Sequence, residues 1–267
     1  MTDVNDAAAA LPSQPEPMVR AATIDDIKGA LEAGWADLKA APLFGLFFGA
    51  IYWLGGLALI ILPAQFGYAW AVFPLAAGFA LIGPFVAVGL YEVSRLREQG
   101  VTPTWSAVLA TVWRQGGREL SWLAFLTIFI FIIWMYQVRM LYALFFGFAS
   151  LDPVLFAKAL FLTSDGWTFL AVGTCVGACM ALFTFSITVV SFPLLLDRDY
   201  DVVTAIITSV RTVQASPKVM LGWGAITAVT VFLAMTPFFA GLLLVLPLWG
   251  HATWHLYRRL VSFPTAG

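Results

Sequence analysis

The sequence predicts an all-α polytopic membrane protein: about six transmembrane helices arranged as three hairpins, each preceded by an amphipathic interfacial helix. Three observations lead there. The 267 residues are 61% hydrophobic and only 11% charged, with a mean hydropathy of +0.90, so a water-soluble surface cannot be covered. Apolar runs recur at the length that crosses ~30 Å of hydrocarbon, roughly 20 residues. The segments between them share a pattern that repeats along the chain.

Residues 1–22 are acidic and rich in Pro and Ala, without the basic start or apolar core of a signal peptide. They are expected to form a disordered cytoplasmic tail, followed by a membrane domain over 23–262 and a short tail at 263–267. The first apolar run, near Leu43, is expected to be a retained anchor. Just before it, Ile24, Ile27, Leu31, Trp35 and Leu38 recur at helical spacing among Asp25, Asp26, Lys28, Glu32, Asp37 and Lys39. This pattern predicts an amphipathic helix lying on the membrane surface.

The six candidate spans are about 43–62, 69–91, 120–140, 168–196, 218–236 and 238–257. Between the last two, Thr236, Pro237 and "FFAG" leave a very short turn, and the alternative is one long broken helix. An even count puts both termini on one side. Of the 14 basic residues, all but Arg139 and Lys158 fall on the side of the termini. In a bacterial plasma (inner) membrane that bias places both termini in the cytoplasm and segment 141–166 outside. On the outer side, "SLDPVLFAKALFLTSDG" predicts a short interfacial helix with Asp152 as N-cap, Pro153 in its first turn and Gly166 after its end. Arg139, about 28 Å along its helix from Leu120, reaches the same interface and snorkels there.

The repeat is read from spacing alone. Aligning Pro42 with Pro217 superposes Asp26 on Asp201, Ala30 on Ala205, Leu31 on Ile206 and Leu38 on Val213. Trp105, Val108, Leu109, Val112 and Trp113 form a weaker third copy. The same interval separates Pro84 from Arg95 and Pro247 from Arg258, matching Tyr91 with Trp254 and Glu92 with His255; Pro193 sits near the corresponding end of the middle copy. Threefold pseudo-repeats place function where the copies meet.

Net charge of −1 leaves no basic excess for a nucleic-acid partner. No G-x-S-x-G, P-loop, Rossmann glycine pattern or CxxC pair occurs. The candidate polar cluster is Glu92, Asp197, Asp201, His251, His255 and Arg258. His251 and His255 share a helical face, the spacing two imidazoles need to bind one metal, but no Cys completes a ligand set. Nor can two residues on one face reach both sides of a haem. No haem or metal is therefore expected there. The simpler account is an interfacial aromatic belt of Trp249, Trp254 and Tyr257, with the histidines and arginines at a helix C-terminus. Should the copies surround an axis, Glu92, Asp201 and His255 converge as a proton or cation site; otherwise they are solvated helix-end charges. Cys175 and Cys179, beside Gly173 and Gly177, read as small packing residues, as do Gly45, Gly49, Gly222 and Gly224.

The ending "GHATWHLYRRLV", the mid-chain "ALFFG" and the order of amphipathic helix then hairpin resemble an uncharacterised bacterial family of integral membrane proteins, classified as a domain of unknown function. The resemblance is expected over nearly the whole chain past residue 22, and implies a six-helix inner-membrane protein with no catalytic residues to transfer. Some members are automatically labelled cytochrome c oxidase subunit I-like. A haem-copper core needs six histidine ligands, and this chain has two histidines. What the label leaves is an accessory or assembly role beside a partner such as a respiratory complex. The expected function is a non-enzymatic accessory, scaffold or assembly factor in the lipid bilayer, acting through helix contacts; the alternative is a small transporter or channel with a polar site at the cytoplasmic end.

Overall fold

The computed structural model describes residues 16–66, 86–115, 118–147 and 153–264. In chain order the elements are β1 (Met18–Val19), α1 (Ile24–Ala40), α2 (Pro42–Phe66), α3 (helical over 86–98), α4 (Trp105–Arg114) and α5 (Glu119–Phe146). There follow α6 (Pro153–Leu162), α7 (Ser164–Thr188), α8 (Ser191–Asp197), α9 (Val202–Ala215), α10 (Pro217–Met235), α11 (Leu242–Leu260) and β2 (Val261–Ser262).

Four stretches are long and apolar enough to cross a membrane: Pro42–Leu59, Glu119–Phe146, Ser164–Asp197 and Pro217–Met235. They coincide with four of the six predicted runs. Most of the run at 69–91, with Pro84, lies outside the described residues, which resume at 86 as α3. The run at 238–257 folds as α11, a helix interrupted in composition by Pro247, two histidines and an arginine pair, with much of its surface buried against protein. α10 and α11 are separate helices rather than one broken rod. Phe238 (φ 51°) and Phe239 (φ 62°) take the left-handed conformation between them, and the chain reverses. Gly241 then abuts Ala234, and the Trp249 indole N–H donates to Thr230 Oγ1 at 2.8 Å.

Helix starts are locally encoded. At α1, Thr23 Oγ1 accepts from the Asp26 backbone N–H while an Asp26 carboxylate oxygen accepts from the Thr23 N–H at 2.9 Å, a reciprocal capping box. Asp201 caps α9 by accepting from the Thr204 N–H at 2.9 Å. Ala41 (φ −133°, ψ 55°) and Ser216 (φ −150°, ψ 64°) make nearly the same corner, each followed by a proline that opens the next helix. Ala30 and Ala205 are both fully buried, and Leu38 and Val213 are each 7% exposed, as the Pro42–Pro217 register requires. Asp26 and Asp201 differ: the first is buried inside its helix's first turn, the second is an exposed cap.

Each amphipathic helix packs on a helix that ends at the same pole of the bundle. α1 lies along α11, where a Cβ on Gly34 would stand 2.7 Å from the backbone N of Ala252. α4 meets α3 through Val108 and Val93, which share one buried cluster. α9 meets α8, the Ser191 hydroxyl donating to the Ala205 carbonyl at 3.0 Å and the Val190 N–H to Ser209 Oγ at 3.2 Å. Gly34 and Ser209 are equivalent under the Pro42–Pro217 register, so Ala252 corresponds to Val190. The same offset carries His255 onto Pro193, which thus stands opposite the histidine and not opposite Pro247.

Several expectations need correction. The face of α1 that packs is the small and acidic one, Ala30, Gly34 and Asp37 with Leu38, while Ile24 and Trp35 stay exposed. A helix can approach another closely only along a stripe without bulky side chains, so Ile24 and Trp35 are left outward while Ile27 and Leu31 pack partly buried at the edge of the stripe. α4 likewise buries Val108 and Thr111 and exposes Trp105, Leu109 and Trp113. α6 ends at Leu162, and Gly166 lies in the first turn of α7, where its N–H is capped by Thr163 Oγ1 at 3.0 Å. Asp152 lies outside the described residues. The tail expected to be structureless over 1–22 is ordered from 16: Met18 and Val19 pair antiparallel with Ser262 and Val261, and the Arg20 N–H donates to the Leu260 carbonyl at 3.0 Å. Residues 1–15 lie outside the described residues.

Of the glycines expected to allow close approach, Gly45 and Gly49 do so. A Cβ on Gly49 would come within 2.8 Å of the Leu243 carbonyl oxygen, so α2 runs tightly against α11. Gly177 faces Trp134 and Gly224 faces Phe185, but Gly173 and Gly222 have nothing within 4 Å and both cysteines are exposed.

Candidate functional site

The polar residues assemble around the last turns of α3. With successive side chains about 100° apart, a short charged stretch on one helix reaches several neighbours. Glu92, Ser94, Arg95, Arg97 and Glu98 do this between α1, α4, α8 and α11.

Glu92 is 2% exposed and turns to α4. Its carboxylate accepts two bonds from Arg95, at 2.6 and 2.8 Å, and one from the Thr111 hydroxyl at 3.1 Å, while Arg114 donates to Thr111 Oγ1. Such a bidentate, charge-assisted pair satisfies a carboxylate that would otherwise be costly to bury. Glu98 turns to α11, accepting from Arg258 Nε at 3.0 Å and from the Trp254 indole N–H at 3.1 Å. Arg258 also reaches Asp197 at the end of α8 at 3.2 Å, where the Tyr257 hydroxyl donates to the same carboxylate at 2.8 Å.

On the other flank α3 meets α1. Arg97 Nε donates to Asp37 Oδ1 at 2.7 Å, and His255 Nε2 donates to Asp37 Oδ2 at 2.7 Å. Burial pushes the Asp37 carboxyl upward, but the bonds from His255, Arg97 and Ser94 outweigh it and hold the group at about 2. Asp37 is therefore a carboxylate at any physiological pH. Beside it, His251 is wholly buried, with Nδ1 2.8 Å from Ser94 Oγ. Ser94 thus engages one ring nitrogen of His251. Nε2 is buried and has no hydrogen-bond partner among the described residues.

Five of the six residues singled out in the sequence thus lie around the end of α3, in three bonded groups. Glu92 pairs with Arg95 and Thr111, Asp197 and Arg258 join Glu98 and Tyr257, and His251 and His255 join Ser94 and Asp37. Asp201 stands apart as the cap of α9, so Glu92, Asp201 and His255 do not converge on one point. Glu92 turns to Thr111 of α4 and His255 to Asp37 of α1, while Asp201 is spent on its own helix. The aromatic belt is also corrected: Trp249, Trp254 and Tyr257 are buried, their polar atoms spent on Thr230, Glu98 and Asp197. Among the described residues no group of three His, Cys, Asp or Glu side chains is placed to hold a metal ion. His251 and His255 share a face but turn to Ser94 and Asp37 respectively.

Asp37, Ser94, Arg97 and Glu98 were not singled out in the sequence. Asp37 looks like any polar position of an amphipathic helix, and its partners are 60 and 218 residues away. Its position three residues after Gly34, on the stripe without bulk, is the one local sign that it faces protein.

Residues 72–197 match the model of a family described as a predicted integral membrane protein (DUF2189). The match includes "ALFFG" and α3 through α8, and excludes the ending "GHATWHLYRRLV" and the opening α1 and α2. No curated protein and no solved structure matches the chain.

Proposed function

We propose that this is a non-enzymatic accessory, scaffold or assembly protein of a bacterial inner membrane. In this reading it has six spans in three hairpins, each preceded by an interfacial helix, with both termini cytoplasmic. The observation that carries it is how small a share of the four described spans is buried. Buried residues make up 28%, 17%, 39% and 17% of the four apolar windows, whereas Glu92, Asp37, Glu98 and Asp197 are consumed by internal ion pairs. Chemistry is turned inward and helix surface outward. The open stripe of Gly173 beside exposed Cys175 and Cys179 is the kind of face along which another helix approaches. The partner is a membrane protein, a respiratory complex being one such.

Purification of the full chain in mild detergent, repeated with Gly173→Leu, tests this. The expected result is one membrane partner at near-equal stoichiometry, lost in the variant while the fold survives. A lone monomer from every preparation would count against the proposal.

A second reading is favoured by one observation, the buried unpartnered Nε2 of His251 next to the Asp37–His255 pair. A polar point of this kind inside an apolar bundle suits a proton or small-cation path, that is, a small transporter or channel. Liposomes holding the protein would then pass protons faster than empty ones, and His251→Ala would slow them. Equal flux in all three removes this reading.

A further inference from the structure

At the basic end, three cavities lie at the corners where an amphipathic helix turns into a span. One, of about 450 Å³, sits at the α1–α2 corner and is roofed by Gly100–Pro103, the segment leading into α4. Another, of about 190 Å³, sits at the α4–α5 corner beneath Arg198–Asp201, which leads into α9. A third, of about 540 Å³, sits at the end of α9 beneath Glu16–Val19, which leads toward α1. Corner and roof are related in the same way each time.

Their charged linings differ, and the first holds a single arginine from α3. In the second cavity Arg118 is paired with Asp199 of the roof, and in the third Arg211 is paired with Glu16 of the roof, at 3.3 Å. The first also contains an arginine, Arg97, but its roof of Gly100, Val101, Thr102 and Pro103 supplies no acid. Arg97 is held from behind, through Nε, by Asp37, and its side chain keeps 32% of its surface exposed. Here the cation has no counter-charge from the roof. Below the corner, Leu43 (67%), Leu46 (54%) and Phe47 (43%) form an exposed apolar track down α2, with Trp105 tilted on Phe44 and edge-on to Phe47 beside it.

We propose that the α1–α2 cavity binds the phosphate of an anionic phospholipid on the edge of the Arg97 guanidinium that Asp37 leaves open. The guanidinium of Arg97, steered by Asp37, presents its terminal N–H groups to the phosphate oxygens. One acyl chain follows Leu43, Leu46 and Phe47 into the bilayer. The apolar track distinguishes a lipid from a free anion, because inorganic phosphate gains nothing from it.

Native mass spectrometry of the full chain in mild detergent, with phosphatidylglycerol, phosphatidylcholine or inorganic phosphate added in turn, tests it. One phosphatidylglycerol is expected to be retained about tenfold more tightly than phosphatidylcholine, with phosphate far weaker. Arg97→Gln strips Asp37 of one of its two partners and can loosen the site, so Thr102→Glu is the decisive variant. It places an acid in the roof, as in the other two cavities, and is expected to weaken phosphatidylglycerol about tenfold at unchanged melting temperature. Gln214→Glu, the same charge at another corner, is expected to leave binding intact. Equal binding of the two lipids, or unchanged binding in Thr102→Glu, overturns the site. Phosphate binding as tightly as phosphatidylglycerol overturns its assignment to a lipid.

Discussion

His255 Nε2 and Asp37 Oδ2 are 2.7 Å apart across 218 residues of chain, so the last helix is joined to the first through one carboxylate. Arg97 holds the other oxygen of that carboxylate, making Asp37 the point where α1, α3 and α11 meet. Removing the acid leaves a half-buried guanidinium and an imidazole facing each other. Asp37→Ala is expected to cost about 2–4 kcal/mol of stability, and Asp37→Asn less, since the amide oxygen still accepts one bond. Chemical denaturation in detergent reads both. Equal stability of wild type and Asp37→Ala would show that the junction carries no weight.

The same carboxylate sets a pH dependence. Asp37 titrates at about 2 in the fold against an ordinary 3.8, so as pH falls the unfolded chain takes up the proton first. Its contribution is therefore complete above pH ~4 and is lost as pH drops through about 2, amounting to about 2 kcal/mol. Asp26, held below its usual range by Arg20 and Thr23, acts in the same direction. Melting temperature should hold level from neutral pH to about 4 and then fall. Asp37→Asn should flatten that fall, and a curve identical to wild type would refute the assignment.

Two glycines make a contrast. A Cβ on Gly49 collides with the backbone of Leu243, which cannot rotate away, whereas Gly173 looks into open space. Gly49→Ala should cost about 1–3 kcal/mol by separating α2 from α11, and Gly173→Ala should be neutral or slightly stabilising as a helix-propensity gain. The order of the two melting temperatures decides.

Orientation is checked by labelling in a background with Cys175 and Cys179 replaced by Ala. A cysteine at exposed Ser164 should react with a membrane-impermeant maleimide in intact cells, and one at exposed Gln99 only after lysis. The reverse pattern would invert the proposed topology.

His251 and His255 turn to different partners, and among the described residues no third His, Cys, Asp or Glu is placed with them as a ligand, so a bound haem or metal is not expected at them. Protein purified without added metal should give no Soret band and less than one transition metal per chain. The double replacement by Ala should lower stability by about 1–3 kcal/mol and remove no spectroscopic centre. A stoichiometric metal lost in that variant would overturn the assignment.

The sequence by itself determined the membrane class, four of the spans, the amphipathic helices and the corner shared by Ala41–Pro42 and Ser216–Pro217. These rest on composition, helical period, capping residues and proline, all of which act within a few residues and can be read along the chain. It also isolated five residues that lie around the end of α3, because a charge beside an apolar run has few places to go. Only the tertiary structure decided that α1 packs by its small face on α11. It also decided that Trp249, Trp254 and Tyr257 turn inward and that Asp37 is paired while Arg97 keeps one side open. Such outcomes depend on which helix lies alongside and at what distance, set by glycines and alanines on both partners. Hydropathy cannot tell an outward apolar face from an inward one when the solvent outside is itself lipid.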